Sequence, residues 1–201
     1  MVFSSNVFLF LFLPVFLSVY YASPYRWRNL VILVGSYLFY AWWRVDFLLL
    51  FAGVTLWNYA IGRRIAHHGA GSIAARRWML LGVGGDLAVL GYFKYANFGV
   101  ESLNTLMSSV GLQPFSWTAI LLPIGISFYV FQAISYVVDV YRGDTAATRD
   151  PVAFAAFIAL FPQLIAGPVL RYRDLAHQFE SRRHGVDLFA EGALRFMQGF
   201  I

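Results

Sequence analysis

Long apolar runs, set off from one another by pairs of arginines, constrain this chain more than any other feature. FSSNVFLFLFLPVFLSVYYA opens the sequence, with Arg26 and Arg28 just beyond it. Later runs are bounded by Arg63 and Arg64, by Arg76 and Arg77, and by Arg182 and Arg183. A bilayer core of about 30 Å takes about 20 apolar residues per helix, and arginine collects in the cytoplasmic loops. Only 12% of the 201 residues are charged and 60% are hydrophobic, whereas an ordinary soluble domain carries about 25% charged residues. That charge cannot cover a soluble globule of this size. The net charge of +5 does not point to nucleic acid, because the arginines form short clusters rather than one continuous basic face. The expectation is an all-α, polytopic integral membrane protein, a single membrane domain over residues 1–201.

The runs read as segments at 3–22, 29–43, 46–62, 79–98 and 117–141. A proline-broken run at 152–170 and a last apolar stretch at 186–201 bring the total to about six or seven. The first has no basic n-region and no A-x-A site, so it reads as a retained anchor. Trp27, Trp42, Trp43, Trp78 and Trp117 fall at segment ends, where an amphipathic ring suits the membrane interface. Strict alternation places the N-terminus outside and the loops at 22–29, 62–78 and 142–151 inside. It then forces the basic loop 171–185 outside, against the positive-inside rule.

The stretch FIALFPQLIAGPVLR, residues 157–171, removes that conflict if it enters the membrane and returns to the same side. Pro162 and Pro168 lack backbone donors, and Gly167 permits a sharp bend. Broken backbone at membrane depth is tolerated only when buried in protein or lining a wet cavity. A re-entrant element is therefore expected, with a simple kinked span as the alternative.

Polar residues inside the runs come next. In GVGGDLAVLGYFKYANF, Gly84, Ala88 and Gly91 share one face, a small-residue packing stripe. Asp86 and Lys94 lie about 12 Å apart along a helix, too far to pair. Asp86 is expected to find a structural partner or water, and Lys94 to reach the interface. In LLPIGISFYVFQAISYVVDVYRGD, Pro123 suits a first helical turn. Tyr129, Gln132, Tyr136 and Asp139 fall within roughly 80° of one another, with Ser135 at the edge. That stripe implies a hydrated tunnel or a polar helix contact, and Asp139 with Arg142 forms a candidate i,i+3 pair. His67, His68, His177 and His184 read as loop residues, without a third ligand to make the His67–His68 pair a metal site. The chain has no cysteine, hence no disulfide frame and no thiol nucleophile.

At LLPIGISFYVFQAISYVVDVYRGD and ALFPQLIAGPVLRYRDL the sequence resembles the membrane-bound O-acyltransferase family, most closely its bacterial alginate O-acetylation branch. FSSNVFLFLFLPV and SYLFYAWW fit the same branch. The resemblance implies a helical ring around a tunnel in the bacterial inner membrane, with this chain as its N-terminal, truncated part. It implies acetyl transfer from a cytoplasmic donor, acetyl-CoA or another acyl carrier, toward an exported polysaccharide (alginate) handled by periplasmic acetylation proteins. No bound cofactor or metal is implied. The family's catalytic histidine is expected beyond Ile201. Tyr129, Gln132, Ser135, Asp139, Gln163 and Arg171 are the candidates for tunnel wall or donor-side surface. The competing class is a non-enzymatic transporter subunit or assembly anchor, which also uses polar stripes and broken helices.

Overall fold

The computed structural model describes residues 5–42, 44–165, 170–182 and 184–200. Among them there is helix and no strand. A π-helical turn, Phe8–Phe12, runs directly into α1, Leu13–Ala22, and places the wide turn just ahead of Pro14. A 3-10 turn, Tyr25–Trp27, leads into α2, Arg28–Ala41. Then follow α3 (Phe47–His68), α4 (Ile73–Ser109) and α5 (Ile126–Arg142). The last four are α6 (Pro151–Ala159), α7 (Phe161–Ile165), α8 (Tyr172–Glu180) and α9 (Val186–Phe200).

Several boundaries move from the sequence reading. α3 runs on through Arg63 and Arg64 to His68, and α4 already holds Arg76 and Arg77. The loop expected at 62–78 shrinks to residues 69–72, with Ser72 capping α4 by accepting from the Ala75 N–H at 3.0 Å. α4 also takes in most of the loop expected at 99–116. α5 starts nine residues later than the run at 117–141, because Gly125 (φ 75°) turns left-handed immediately before it. Pro123 therefore sits before the helix, where its carbonyl accepts from the Ile126 N–H at 3.3 Å. More than half of the loop expected at 171–185 is α8.

No helix among the described residues is long and apolar enough to cross a membrane. α1, α2 and α5 have 10, 14 and 17 residues. α4 is long but carries Arg76, Arg77, Asp86, Lys94 and Glu101.

The core is the packing of α3, α4 and α5, with α6 laid against α2 and α3. Glycines set the close approaches. A Cβ on Gly82 would lie 2.8 Å from Ile61, and one on Gly62 would lie 2.6 Å from the Tyr136 ring. Gly85 receives the Trp57 indole at 3.2 Å. The expected stripe does not do this work: Gly84 and Ala88 are exposed, and nothing lies within 4 Å of a Cβ on Gly84 or Gly91. Small residues recur on two faces of α4, and packing uses the face of Gly82, Gly85 and Asp86. A second cluster joins the ends of the chain's path. Phe8, Phe12 and Phe16 surround Phe161, with Phe39 of α2 at 5.3 Å from the Phe161 ring. These ring distances lie in the favourable aromatic range of about 4.5–7 Å.

Candidate functional site at the basic end of the bundle

The bundle has two distinct ends. At one, Tyr40 donates to the Ile124 carbonyl at 3.2 Å, Asn97 donates to the Ile120 carbonyl at 2.7 Å, and Trp117 donates to Asn97 at 3.0 Å. At the other, the turn at 69–72 meets the end of α5 through the Gly71 N–H and the Tyr141 carbonyl, 3.0 Å. Tyr59 donates to the Arg149 carbonyl there at 2.9 Å, and Arg173 of α8 faces Asp144 at 3.7 Å. Arg182 joins this end to the 25–29 turn, donating to Asn29 Oδ1 at 2.6 Å and to the Tyr25 hydroxyl through its backbone N–H at 3.0 Å. Residues on both sides of the proline-broken run therefore lie at the same end.

The break itself has a local cause and specific partners. Pro162 would have to donate to Ile158 in a continuous helix and cannot. α6 stops at Ala159, Leu160 leaves helical geometry (ψ 102°), and α7 restarts with Pro162 in its first turn, where a missing donor costs little. Polar side chains from neighbouring helices meet the exposed backbone. Gln132 Nε2 donates to the Phe157 carbonyl at 3.1 Å, and Ser36 Oγ accepts from the Phe161 N–H at 3.3 Å. Leu164 O lies 2.7 Å from where a Cβ on Gly125 would be, so only glycine fits at the start of α5. Gly167 and Pro168 lie outside the described residues, as do Trp43 and Arg183.

Tyr129, Gln132 and Asp139 are buried along one face of α5, and Ser135 is half-buried at its edge. Tyr129 packs on Phe51 with ring centroids 4.7 Å apart. Gln132 is committed to the broken backbone. Gln163 is buried in α7 and Arg171 is exposed just before α8. Asp139 and Arg142 form no ion pair; the pairs among the described residues are Arg44–Asp46, Arg173–Asp144, Arg173–Asp174 and Arg195–Glu191. Asp86 does find a partner, Asn58, at 2.8 Å, and Lys94 is exposed.

Below the broken run opens a cleft of about 870 Å³ between the 25–29 turn, the 145–150 loop and α8. Arg26, Arg149, Arg173, Arg182 and His177 line it, with Asp150 the counter-charge. Tyr172 forms the inner wall and stacks edge-on with Tyr136 and Phe157 at 5.0 Å each. The cleft thus presents clustered cations directly above the aromatic core that carries the α5 stripe. Beside it, Arg28 Nη1 lies 2.9 Å from His184 Nδ1, and the Tyr20 hydroxyl lies 3.0 Å from Nε2. Loss of solvent, then the Arg28 and Arg182 charges, hold the His184 imidazole below its ordinary range. Arg182 also stacks over Phe179 at 4.9 Å.

The sequence reading included neither Ser36 nor Asn58, though both are polar residues inside apolar runs, the signal that singled out Gln132. His177 and His184, taken as plain loop residues, fall in the cleft and in the Arg28 contact.

No family model and no solved structure matches the chain. Among curated proteins, all 201 residues align at 68% identity with the probable alginate O-acetylase AlgI of Pseudomonas putida. The same protein of Azotobacter vinelandii also aligns at 68% identity over the full chain. A peptidoglycan O-acetyltransferase of Helicobacter pylori is 28% identical over 92% of the chain. The chain spans about two-fifths of the length of these relatives (41%, 40% and 40%). By their names these relatives are probable O-acetylases of alginate and an O-acetyltransferase of peptidoglycan. The similarity to alginate O-acetylases runs over the whole chain, in keeping with the resemblance of its motifs to the membrane-bound O-acyltransferase family.

Proposed function

We propose that this chain forms part of an inner-membrane O-acetyltransferase that passes acetyl groups to an exported polysaccharide, alginate. The observation that carries the reading is 61–68% identity over all 201 residues to probable alginate O-acetylases, combined with the cationic cleft at one end of the bundle. The membrane setting is supported by the apolar surface. Phe10, Leu49 and Phe98 are 79%, 85% and 68% exposed, more than a water-facing bundle leaves bare in such numbers. The basic end faces the cytoplasm in this reading, in keeping with the positive-inside rule. The proline-broken run is then re-entrant, and at its break the Phe157 carbonyl and the Phe161 N–H meet Gln132 and Ser36, as broken backbone in lipid requires.

The cleft receives the anionic part of the acetyl donor, acetyl-CoA or another acyl carrier, through Arg26, Arg149, Arg173 and Arg182. Arg171, beside the cleft, adds to its field. Tyr129, Ser135 and Asp139 line the inner path, and Gln163 faces it from α7. The reacting hydroxyl needs a general base. His67 and His68 end α3, His177 is in the cleft and His184 faces Arg28, so the base is assigned to the part of the relatives' length these residues do not span. Periplasmic acetylation proteins take the group onward.

The test is ester-linked acetate on the exported polymer in cells lacking the native protein. Restoration by the native reading frame supports the assignment. Unchanged acetate with the protein inserted in the membrane would overturn it.

A further inference from the structure

α3 and α4 meet across two polar side chains that the acetyl-transfer reading does not use. Asn58 and Asp86 are 0% and 1% exposed. Asn58 Nδ2 donates to Asp86 Oδ1 at 2.8 Å and to the Val54 carbonyl at 3.0 Å. Both amide hydrogens are thereby used. Two acceptors remain, Asn58 Oδ1 and Asp86 Oδ2, each buried and each without a donor among the described residues.

Among the described residues, the surroundings offer no cation. The adjoining groove, about 320 Å³, is walled by Leu50, Gly53, Val54, Trp57, Gly85 and Val89. Its one side-chain donor, the Trp57 indole, lies against Gly85 and bonds neither oxygen. Lys94 is two helical turns away, about 12 Å along α4, and exposed. A carboxylate anion here would be an unpaired buried charge beside an unpaired carbonyl, the arrangement proteins avoid most strongly.

We propose that the Asn58–Asp86 pair holds a single proton, with Asp86 a neutral carboxylic acid donating through Oδ2–H to Asn58 Oδ1. One proton turns one leftover acceptor into a donor for the other. The pair then joins α3 to α4 by two hydrogen bonds and fixes their register, because sliding either helix by a residue faces the acid with apolar side chains. Register here sets where Arg63, Arg64, Arg76 and Arg77 stand around the 69–72 turn. The inference does not depend on the acetyl-transfer reading.

The experiment uses the full-length native protein in lipid nanodiscs. Infrared spectra at neutral pH should show a protonated-carboxyl C=O band that moves on carbon-13 aspartate labelling and vanishes in Asp86→Asn. Asn presents the same acceptor and donor as a neutral acid, so D86N should keep the wild-type melting midpoint. Asp86→Leu and Asn58→Leu should each lower that midpoint by about 4 °C or more. The double leucine variant should lie nearer wild type than either single one, since both partners go together. A wild-type spectrum without the band overturns the proposal. So does a D86N variant as unstable as D86L. Asp139 is also buried with an unpaired carboxylate oxygen, so the band counts for Asp86 only if it survives in Asp139→Asn and vanishes in D86N; its absence from the wild-type spectrum overturns the proposal even where a variant fails to fold.

Discussion

At the scale of single residues, glycines and one histidine carry the sharpest consequences. Gly62 leaves room for the Tyr136 ring, which a Cβ would approach to 2.6 Å. Tyr136 is itself fixed between Phe154 at 4.5 Å and Tyr172 at 5.0 Å, so it has nowhere to go. Gly62→Ala is expected to cost about 1–3 kcal/mol through overpacking. Gly84→Ala, on the open face of the next helix, should be neutral or stabilise by up to about 1 kcal/mol by helix propensity. Thermal unfolding of the two variants side by side checks this; equal effects would mean α4 packs by the other face. His184 adds a pH dependence. Its imidazole is held below its unfolded value, so the folded state binds the proton less readily than the unfolded one. The contribution is fully present above the unfolded value of about 6.5 and is lost as pH falls toward the folded one. Protonation also sets a third charge beside Arg28 and Arg182. Protection factors (exchange relative to the intrinsic rate at each pH) of the Ser181 and Arg182 amides, which donate to the His177 carbonyl and the Tyr25 hydroxyl, should fall on acidification from pH 7 to 5, and His184→Gln should flatten that response.

At the scale of elements, the broken run from α6 to α8 decides the topology. Its two flanks share one end of the bundle, tied by Arg173–Asp144 and by Arg182 to the 25–29 turn. Cysteines introduced singly at Asp150 and Ser181 should therefore react with an impermeant reagent from the same side; opposite-side reaction would make the run a kinked span. Gln132→Leu should cost about 1 kcal/mol, since the buried Phe157 carbonyl loses its side-chain donor and keeps only the 3.4 Å bond from the Leu160 N–H. Much of this was legible in the chain. Pro162 announced the break, and the arginine count gave the expectation that both flanks lie on one side of a membrane; in the structure they share one end of the bundle. The polar stripe of α5 was visible from the 100° periodicity alone. What the sequence could not show was commitment. Gln132 looks like tunnel lining until Phe157 is seen to need it. Gly84, Ala88 and Gly91 form as good a stripe as Gly82 and Gly85 until the neighbouring helix picks one. Helix ends were misread for a related reason: the hydropathy of a run stops at Arg63 while its hydrogen-bond ladder continues to His68.

At the scale of the whole molecule, the question is whether the basic end is a binding surface or only the charge bias that orients a membrane protein. Both readings predict arginines there, but they differ in which arginines matter. Arg149 and Arg173 line the cleft, whereas Arg142 is exposed at the same end, outside it. Reversing any one removes the same charge from the same side, so a pure orientation effect treats them alike. A cleft that grips an anionic donor does not. Charge-assisted hydrogen bonds contribute about 1.5–3 kcal/mol each, which corresponds to roughly 10- to 100-fold in affinity. In the full-length protein, Arg149→Glu and Arg173→Glu should each raise the donor KM by about tenfold or more. Arg142→Glu should leave it near wild type. Arg173 also faces Asp144 and Asp174, so Arg173→Glu loses those contacts as well. Arg149 is the cleaner probe, and Arg149→Lys separates charge from the planar fork that seats phosphate or carboxylate in two bonds. Loss with Glu and partial recovery with Lys would place the donor's anionic group in the cleft. Equal loss from all three reversals, with altered cysteine labelling at Ser181, would return the arginines to topology alone and move donor binding to another part of the enzyme.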